Sequence, residues 1–170
     1  MTACASAPLQ PVLPPETAIT ANLGSASFIT RDLDKSVAFY ERYLGYKVLG
    51  RSEVTAAKSR QVVGAVGNSV VKYVSLVPAP WTPKKSHFTG ISFVEIPESP
   101  PNAFSQNAAR PSHAGELILA HRVTNIEDIN RRIIAAGVPI IAPLGKSGSG
   151  KSMSMAFLDP NGIRVEIYEY

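Results

Sequence analysis

The chain has a single cysteine, Cys4, so no internal disulfide can form. It has no apolar run approaching the roughly 20 residues that a helix needs to cross a bilayer. It also lacks a basic stripe interleaved with aromatic residues. The cations are scattered, apart from short pairs such as Lys84–Lys85 and Arg131–Arg132, so the net charge of +4 reads as a solvated basic surface and not as a nucleic-acid footprint. No His/Asp arrangement accompanies the plentiful serines, so no nucleophile and base can be read. The chain does have 170 residues, 45% hydrophobic and 18% charged, enough for one domain with a sizeable core.

Residues 1–20, "MTACASAPLQPVLPPETAIT", are rich in Pro, Ala and Thr and read as a disordered tail, because they cannot bury enough apolar surface to offset their ordering entropy. Within the tail, "TACASAP" resembles the processing site of bacterial lipoproteins, where an apolar signal segment ends in Leu-x-Ala-Cys and the cysteine is acylated. Met1 stands where the leucine would be, and the apolar segment is absent from this sequence. The resemblance implies lipidation at Cys4, a lipid anchor and a periplasm-facing place in the bacterial cell envelope. A free cysteine on a cytoplasmic protein is the other reading.

The remainder is built twice. "SASFITRDLDKSVAFYERYLGYKVLG" gives a short strand, Asp32 as N-cap, then Leu33, Val37, Tyr40 and Leu44 on one helical face, Gly45 as the stop and an extended "YKVLG". "LILAHRVTNIEDINRRIIAAGVPIIAPLG" repeats the grammar: a strand, Asn125 as N-cap with Asp128 as a capping-box partner, an apolar face of Ile126, Ile129, Ile133 and Ala136, Gly137 as the stop, then "VPIIAP". Two more strands come next in each unit, "SVVKYVSLVP" and "FTGISFVEI" in the first, "SMSMAFLD" and "IRVEIYEY" in the second. The last pair is joined by Asp159-Pro160-Asn161-Gly162, a tight reversal in which proline presets φ and glycine supplies the conformational freedom to complete it. Each unit reads strand–helix–strand–strand–strand, and the first carries an extra helical segment in "TAAKSRQVVGAV". Residues 21–170 form a single domain, with module one at about 22–97, a Pro-rich connector at 98–112 and module two at about 113–170.

One stretch points elsewhere. "GKSGSGKS", residues 145–152, fits the phosphate-loop template, with Gly145, Gly150, Lys151 and Ser152 in place. Such a loop works because a helix begins at its end and offers backbone N–H groups to the phosphates. Here "MSMAFLDPNG" alternates like a strand and is soon ended by Pro160 and Gly162, so the loop is expected to join two strands. Nucleotide hydrolysis is therefore the weakest of the functional readings.

"FITRDLDKSVAFYERYLGYKVLG" closely resembles the opening unit of the vicinal-oxygen-chelate superfamily, and "FLDPNGIRVEIYEY" resembles its closing hairpin. That group includes glyoxalases, ring-cleaving dioxygenases, fosfomycin-resistance enzymes and bleomycin-binding proteins. The resemblance implies an α+β fold of two βαβββ modules whose curved mixed sheets surround a shared cavity. Many members hold a divalent metal there through one side chain on the first and one on the last strand of each module. Carried over residue by residue, those stations are Ser25, Glu95, Ile118 and Glu166. Serine and isoleucine are not credible ligands, and two carboxylates do not make a zinc or iron site, although magnesium demands less. The resemblance thus implies no metal cofactor for the usual chemistry.

On the resemblance's register, Ser25, Ser27, Phe93, Glu95, Arg122, Arg164, Glu166 and Tyr168 face the cavity. Two glutamates in a cavity without a metal would repel each other, and Arg122 or Arg164 would take the place of the cation and hold an anionic ligand. Exposed arginines at strand ends are the alternative. His121 falls on the helix-facing side of its strand, while His113 and His87 are expected at the surface. Trp81 lies either over the cavity or over a sheet edge. The leading expectation is a domain that binds a small organic, anionic molecule without metal. The second is a divalent-metal lyase, isomerase or dioxygenase with Glu95 and Glu166 as partial ligands. The helix faces and strand edges also permit a homodimer.

Overall fold

Where β1 (Ser25–Thr30) ends, Asp32 turns the chain into α1 (Leu33–Leu44), and its carboxylate accepts from the Lys35 backbone N–H at 2.9 Å. Gly45 closes the helix at φ 67°, a left-handed conformation that glycine adopts without a Cβ penalty. The chain continues through β2 (Tyr46–Glu53), α2 (Ala57–Val62), β3 (Lys72–Pro78) and β4 (Gly90–Glu95). The second unit repeats this as β5 (Ile118–Arg122), α3 (Ile126–Ala135), β6 (Ile140–Lys146), β7 (Met153–Leu158) and β8 (Arg164–Glu169). This computed structural model describes residues 25–79, 90–100 and 106–169; Cys4, Trp81 and His87 lie outside them.

Each unit is a four-stranded mixed sheet, in order β1-β4-β3-β2 and β5-β8-β7-β6, with its first and last strands parallel. The fold is α+β, two βαβββ modules whose sheets curve without closing. The same crossover produces this order twice: the helix carries the chain from an edge strand to the far edge, and the meander returns to the first strand.

One face of each sheet is covered by its helix. Leu33, Val37, Phe39, Tyr40 and Tyr43 of α1 pack with Leu76, Ile91 and Phe93 of the first sheet and with Phe157, Val165 and Ile167 of the second. Phe39 and Phe157 approach to 6.0 Å between ring centroids, and Ile126, Ile129 and Ile133 of α3 complete the same core. Each such side chain contributes about 1.5–3 kcal/mol through burial. The helix-covered faces of both sheets therefore turn toward one common core, and the opposite, open faces do not. On those faces Ser27, Ile29, Ile118, Ala120 and Arg122 are exposed. Among the described residues only the first sheet has a partial cover there: the α2 segment, through Val63 and Ala65, packs against a second small cluster of Val71, Val94 and Ile96.

Two local expectations need correction, and a third holds in position only. Asn125 stands at the N-cap of α3 in a left-handed conformation (φ 59°), but its side chain makes no cap bond. Asp128 is no capping-box partner, because its carboxylate pairs with Arg131 and Arg132. Ala136 is exposed. The glycine loop is as expected: β6 and β7 pair antiparallel across it, Ser147 N–H bonds Ser152 O at 2.8 Å, and no helix begins at Lys151.

His121 faces the helix side as expected, edge-on to Tyr46 at 5.7 Å and tilted against Tyr40 at 6.4 Å. Burial pushes its imidazole below the ordinary value of 6.5. The unfolded chain therefore takes up the proton first on acidification, and stability falls as pH drops below about 6.5 toward the folded-state pKa. Chemical denaturation between pH 7.5 and 5 should show this loss in the native protein, and His121→Leu should flatten that part of the profile.

Candidate functional site

The two modules meet at a buried polar hub. Asp159, 0% exposed, opens the turn between β7 and β8. Its Oδ1 accepts from Asn161 N at 2.8 Å and Ile163 N at 2.9 Å, while Oδ2 accepts from Tyr40 Oη of α1 at 3.2 Å. Asn161 then crosses to the first module, accepting from Thr30 Oγ1 at 2.8 Å and donating to Ser36 Oγ at 3.1 Å. Burial raises the Asp159 carboxyl above its ordinary value, while the bonds from Ile163 and Asn161 oppose the shift. Burial, and then the nearby Asp159 charge, push the Tyr40 phenol well up.

A second hub lies beside it. Arg110 grips Glu116 with both ends of its guanidinium, and Arg164 donates to the same carboxylate from Nε at 3.1 Å and to Arg110 O from Nη2 at 2.8 Å. The Glu116 side chain is 5% exposed, and its two arginine neighbours, Arg110 foremost, hold it down at about 2. Sequence reasoning found neither Arg110 nor Glu116. Both lie in or just after the connector, and no spacing rule pairs a connector residue with a strand residue 48 or 54 positions on.

Strand register decides which expected residues share a face. Ser25 pairs with Gly90 as Ile118 pairs with Arg164, so Ser27–Ser92 corresponds to Ala120–Glu166. The first-module counterpart of Glu166 is therefore Ser92, not Glu95, and the four stations hold Ser25, Ser92, Ile118 and Glu166. The hydroxyl of Ser92 is engaged with Tyr73 Oη at 2.7 Å. Glu95 instead matches Glu169, and the two do the same work. Glu95 Oε1 accepts from Leu33 N at 3.2 Å at the start of α1. Glu169 accepts from Asn125 N at 2.8 Å and Ile126 N at 2.9 Å at the start of α3. Each carboxylate satisfies orphan donors and meets the positive end of its helix. Glu95 also pairs with Lys72 at 3.0 Å. A three-residue slip in matching the two final strands accounts for the misplacement.

Phe93 shares the helix face with Glu95 and is fully buried, 5.2 Å from the Tyr40 ring and 5.7 Å from that of Phe28. The structure does not bring Glu95 and Glu166 together as a ligand pair. Ser25, Ser27, Arg122, Arg164, Glu166 and Tyr168 do fall on open faces, the last four on the second sheet, where Arg122 pairs with Tyr168 in register and Ala120 with Glu166. Arg164 is buried against Glu116, so its cation is committed there. Among the described residues no three His, Cys, Asp or Glu side chains gather closely enough to hold a metal ion. Serine, serine, isoleucine and one glutamate do not fit the divalent-metal centre that the fold implies.

A cavity of about 890 Å³ opens at the junction, between the second half of β1, the start of α1, residues 115–117 and the turn at 160–163. Of the expected ligand-binding residues only Ser27 lines it. Gln106 braces one wall by donating to Asp159 O at 3.0 Å and Pro160 O at 3.1 Å.

Residues 22–167 match the family model of the glyoxalase/bleomycin resistance protein/dioxygenase superfamily. No curated protein sequence matches the chain. A glyoxalase family protein from Bacillus cereus has a similar structure, with TM-score 0.67, 18% identity, and 90% of this chain and 96% of that one covered. So has a glyoxalase/dioxygenase from Nostoc punctiforme, with TM-score 0.61, 19% identity, and 95% and 97% covered. A fosfomycin resistance protein from Listeria monocytogenes superposes with TM-score 0.55 at 14% identity, covering 89% and 95%. At such identities the likeness shows the fold alone.

The reassignment of Glu95 is testable. Glu95→Ala should cost about 1 kcal/mol of stability, as lost helix caps do, and should leave ligand affinity unchanged when measured by calorimetry with any ligand found. A large loss of affinity with unchanged stability would return Glu95 to the site.

Proposed function

The chain belongs to the glyoxalase/bleomycin resistance protein/dioxygenase superfamily, and from that premise we propose that it binds a small organic anion without the divalent metal many relatives use. The observation that carries this is the register: of the four stations only Glu166 is a donor of ligand grade. A single carboxylate cannot assemble the three or more protein ligands that zinc or iron sites require.

The open face of the second sheet supplies a different chemistry. Arg122, Glu166 and Tyr168 sit on neighbouring strands above the small residues Ala120 and Ala156. A guanidinium there holds a carboxylate or phosphonate in bidentate fashion, the phenol donates a further hydrogen bond, and the alanines leave room for an apolar body. Glu166 selects ligands that also carry a donor. Ser25 and Ser27 offer hydroxyls on the corresponding face of the first module.

Protein purified without chelator should contain far less than one equivalent of transition metal by elemental analysis. Aromatic carboxylates carrying an amine or hydroxyl should raise its thermal midpoint equally with and without EDTA. Arg122→Ala should raise their dissociation constants about tenfold, the loss expected for one charge-assisted contact. One equivalent of tightly held metal, with binding abolished by its removal, would refute the proposal.

A further inference from the structure

The junction cavity takes in the β1 edge of the first sheet's open face, through Ser27 and Ile29, but includes none of Arg122, Glu166 and Tyr168 on the second sheet. Its walls come from both modules: Phe28 and Ile29 from β1, Leu117 just before β5, and Pro160 and Ile163 from the turn before β8. Ile29 and Leu117 are 44% and 50% exposed, a large apolar area left to water on two side chains that face one space. The volume, about 890 Å³, falls in the range of about 300–1,000 Å³ that holds small-molecule ligands.

The polar groups at this cavity carry a sign. Arg31 and Lys35 line it and are exposed. Asp32 lines it too, but its carboxylate is used on the Lys35 backbone N–H. Glu116 lines the inner wall with its charge more than matched by Arg110 and Arg164. Counting Arg31, Lys35, Arg110 and Arg164 against Asp32, Glu116 and the buried Asp159 behind the turn leaves one positive charge, and the two exposed cations, Arg31 and Lys35, stand at the rim of a mostly apolar space. Positive potential at the mouth of a low-dielectric cleft attracts an anion and orients it head outward.

We propose that this cavity is a second binding site, for an amphipathic carboxylate whose aliphatic chain lies between Leu117, Ile29 and Ile163 and whose head group meets Lys35 and Arg31. A ligand seated there touches both modules, so it tightens the joint between them. The proposal does not depend on the open-face site.

Decanoate is the probe, with decanol as the uncharged control, read by thermal shift and calorimetry on the full chain. Decanoate should raise the thermal midpoint in a concentration-dependent way, and decanol should bind at least tenfold more weakly. Leu117→Trp fills the cavity from an exposed position and should abolish the shift. Lys35→Glu, at a solvent-facing place in the first turn of α1, should raise the dissociation constant about tenfold. Arg122→Ala should leave decanoate binding unchanged. Absence of a shift, or a shift that survives Leu117→Trp, would overturn the proposal. A shift lost in Arg122→Ala but kept in Leu117→Trp would overturn it too, by assigning the ligand to the open face. If decanoate binds as stated while aromatic carboxylates fail, the open-face reading falls and this one stands.

Discussion

A carboxylate with no exposed surface has to be satisfied from within the protein, and Asp159 is satisfied by groups from both modules. Leaving such a group unpaired would cost several kcal/mol, so its partners are held in place. Two of them are backbone N–H groups of its own turn, which fixes the Asp-Pro-Asn-Gly reversal. The third is the Asn161 side-chain amide, and the fourth is a tyrosine on the other module's helix. Asn161 extends the same hub to Thr30 and Ser36. Through it the turn between β7 and β8 is pinned to the start of α1, and the helix-covered faces of both sheets close over one core.

That joint determines where chemistry can occur. With both helix faces turned inward, ligand-binding groups are confined to the open faces and to the seam. The duplicated framework is conservative in its supports: Glu95 and Glu169 cap equivalent helices from equivalent strand ends. It diverges on its open faces. The first sheet carries hydroxyls, one of them already bonded to Tyr73, beneath a partial cover from the α2 segment. The second sheet carries an arginine, a glutamate and a tyrosine, without a corresponding helix among the described residues. The shared supports and unlike open faces fit a duplication in which stability constrains one side of each sheet and ligand chemistry the other.

Much of the fold was legible because its signals are local. The periodicity of Leu33, Val37 and Tyr40, the Asp32 cap, the glycine stops and the Pro160–Gly162 reversal each act within a few residues. The strand-like alternation after Lys151 likewise rejected the phosphate loop. The site was less legible because its determinants are long-range. Matching Glu95 to Glu166 needed the strand register, which hydrogen bonding between distant segments sets, and a slip of three residues moved a helix cap into a ligand site. Asn125 has the right residue type for a cap, yet Glu169, 44 residues away, does the capping. Arg110 and Glu116 sit in a stretch with no periodicity, and only the folded chain brings Arg164 to them.

The bond between Tyr40 and Asp159 is the central tie between the modules. A double-mutant cycle of Tyr40→Phe and Asp159→Asn, measured by reversible chemical denaturation at neutral pH, tests it directly. A coupling energy of about 1 kcal/mol or more, with each single variant destabilised and unfolding still one transition, is the predicted result. Strict additivity of the two substitutions would contradict it.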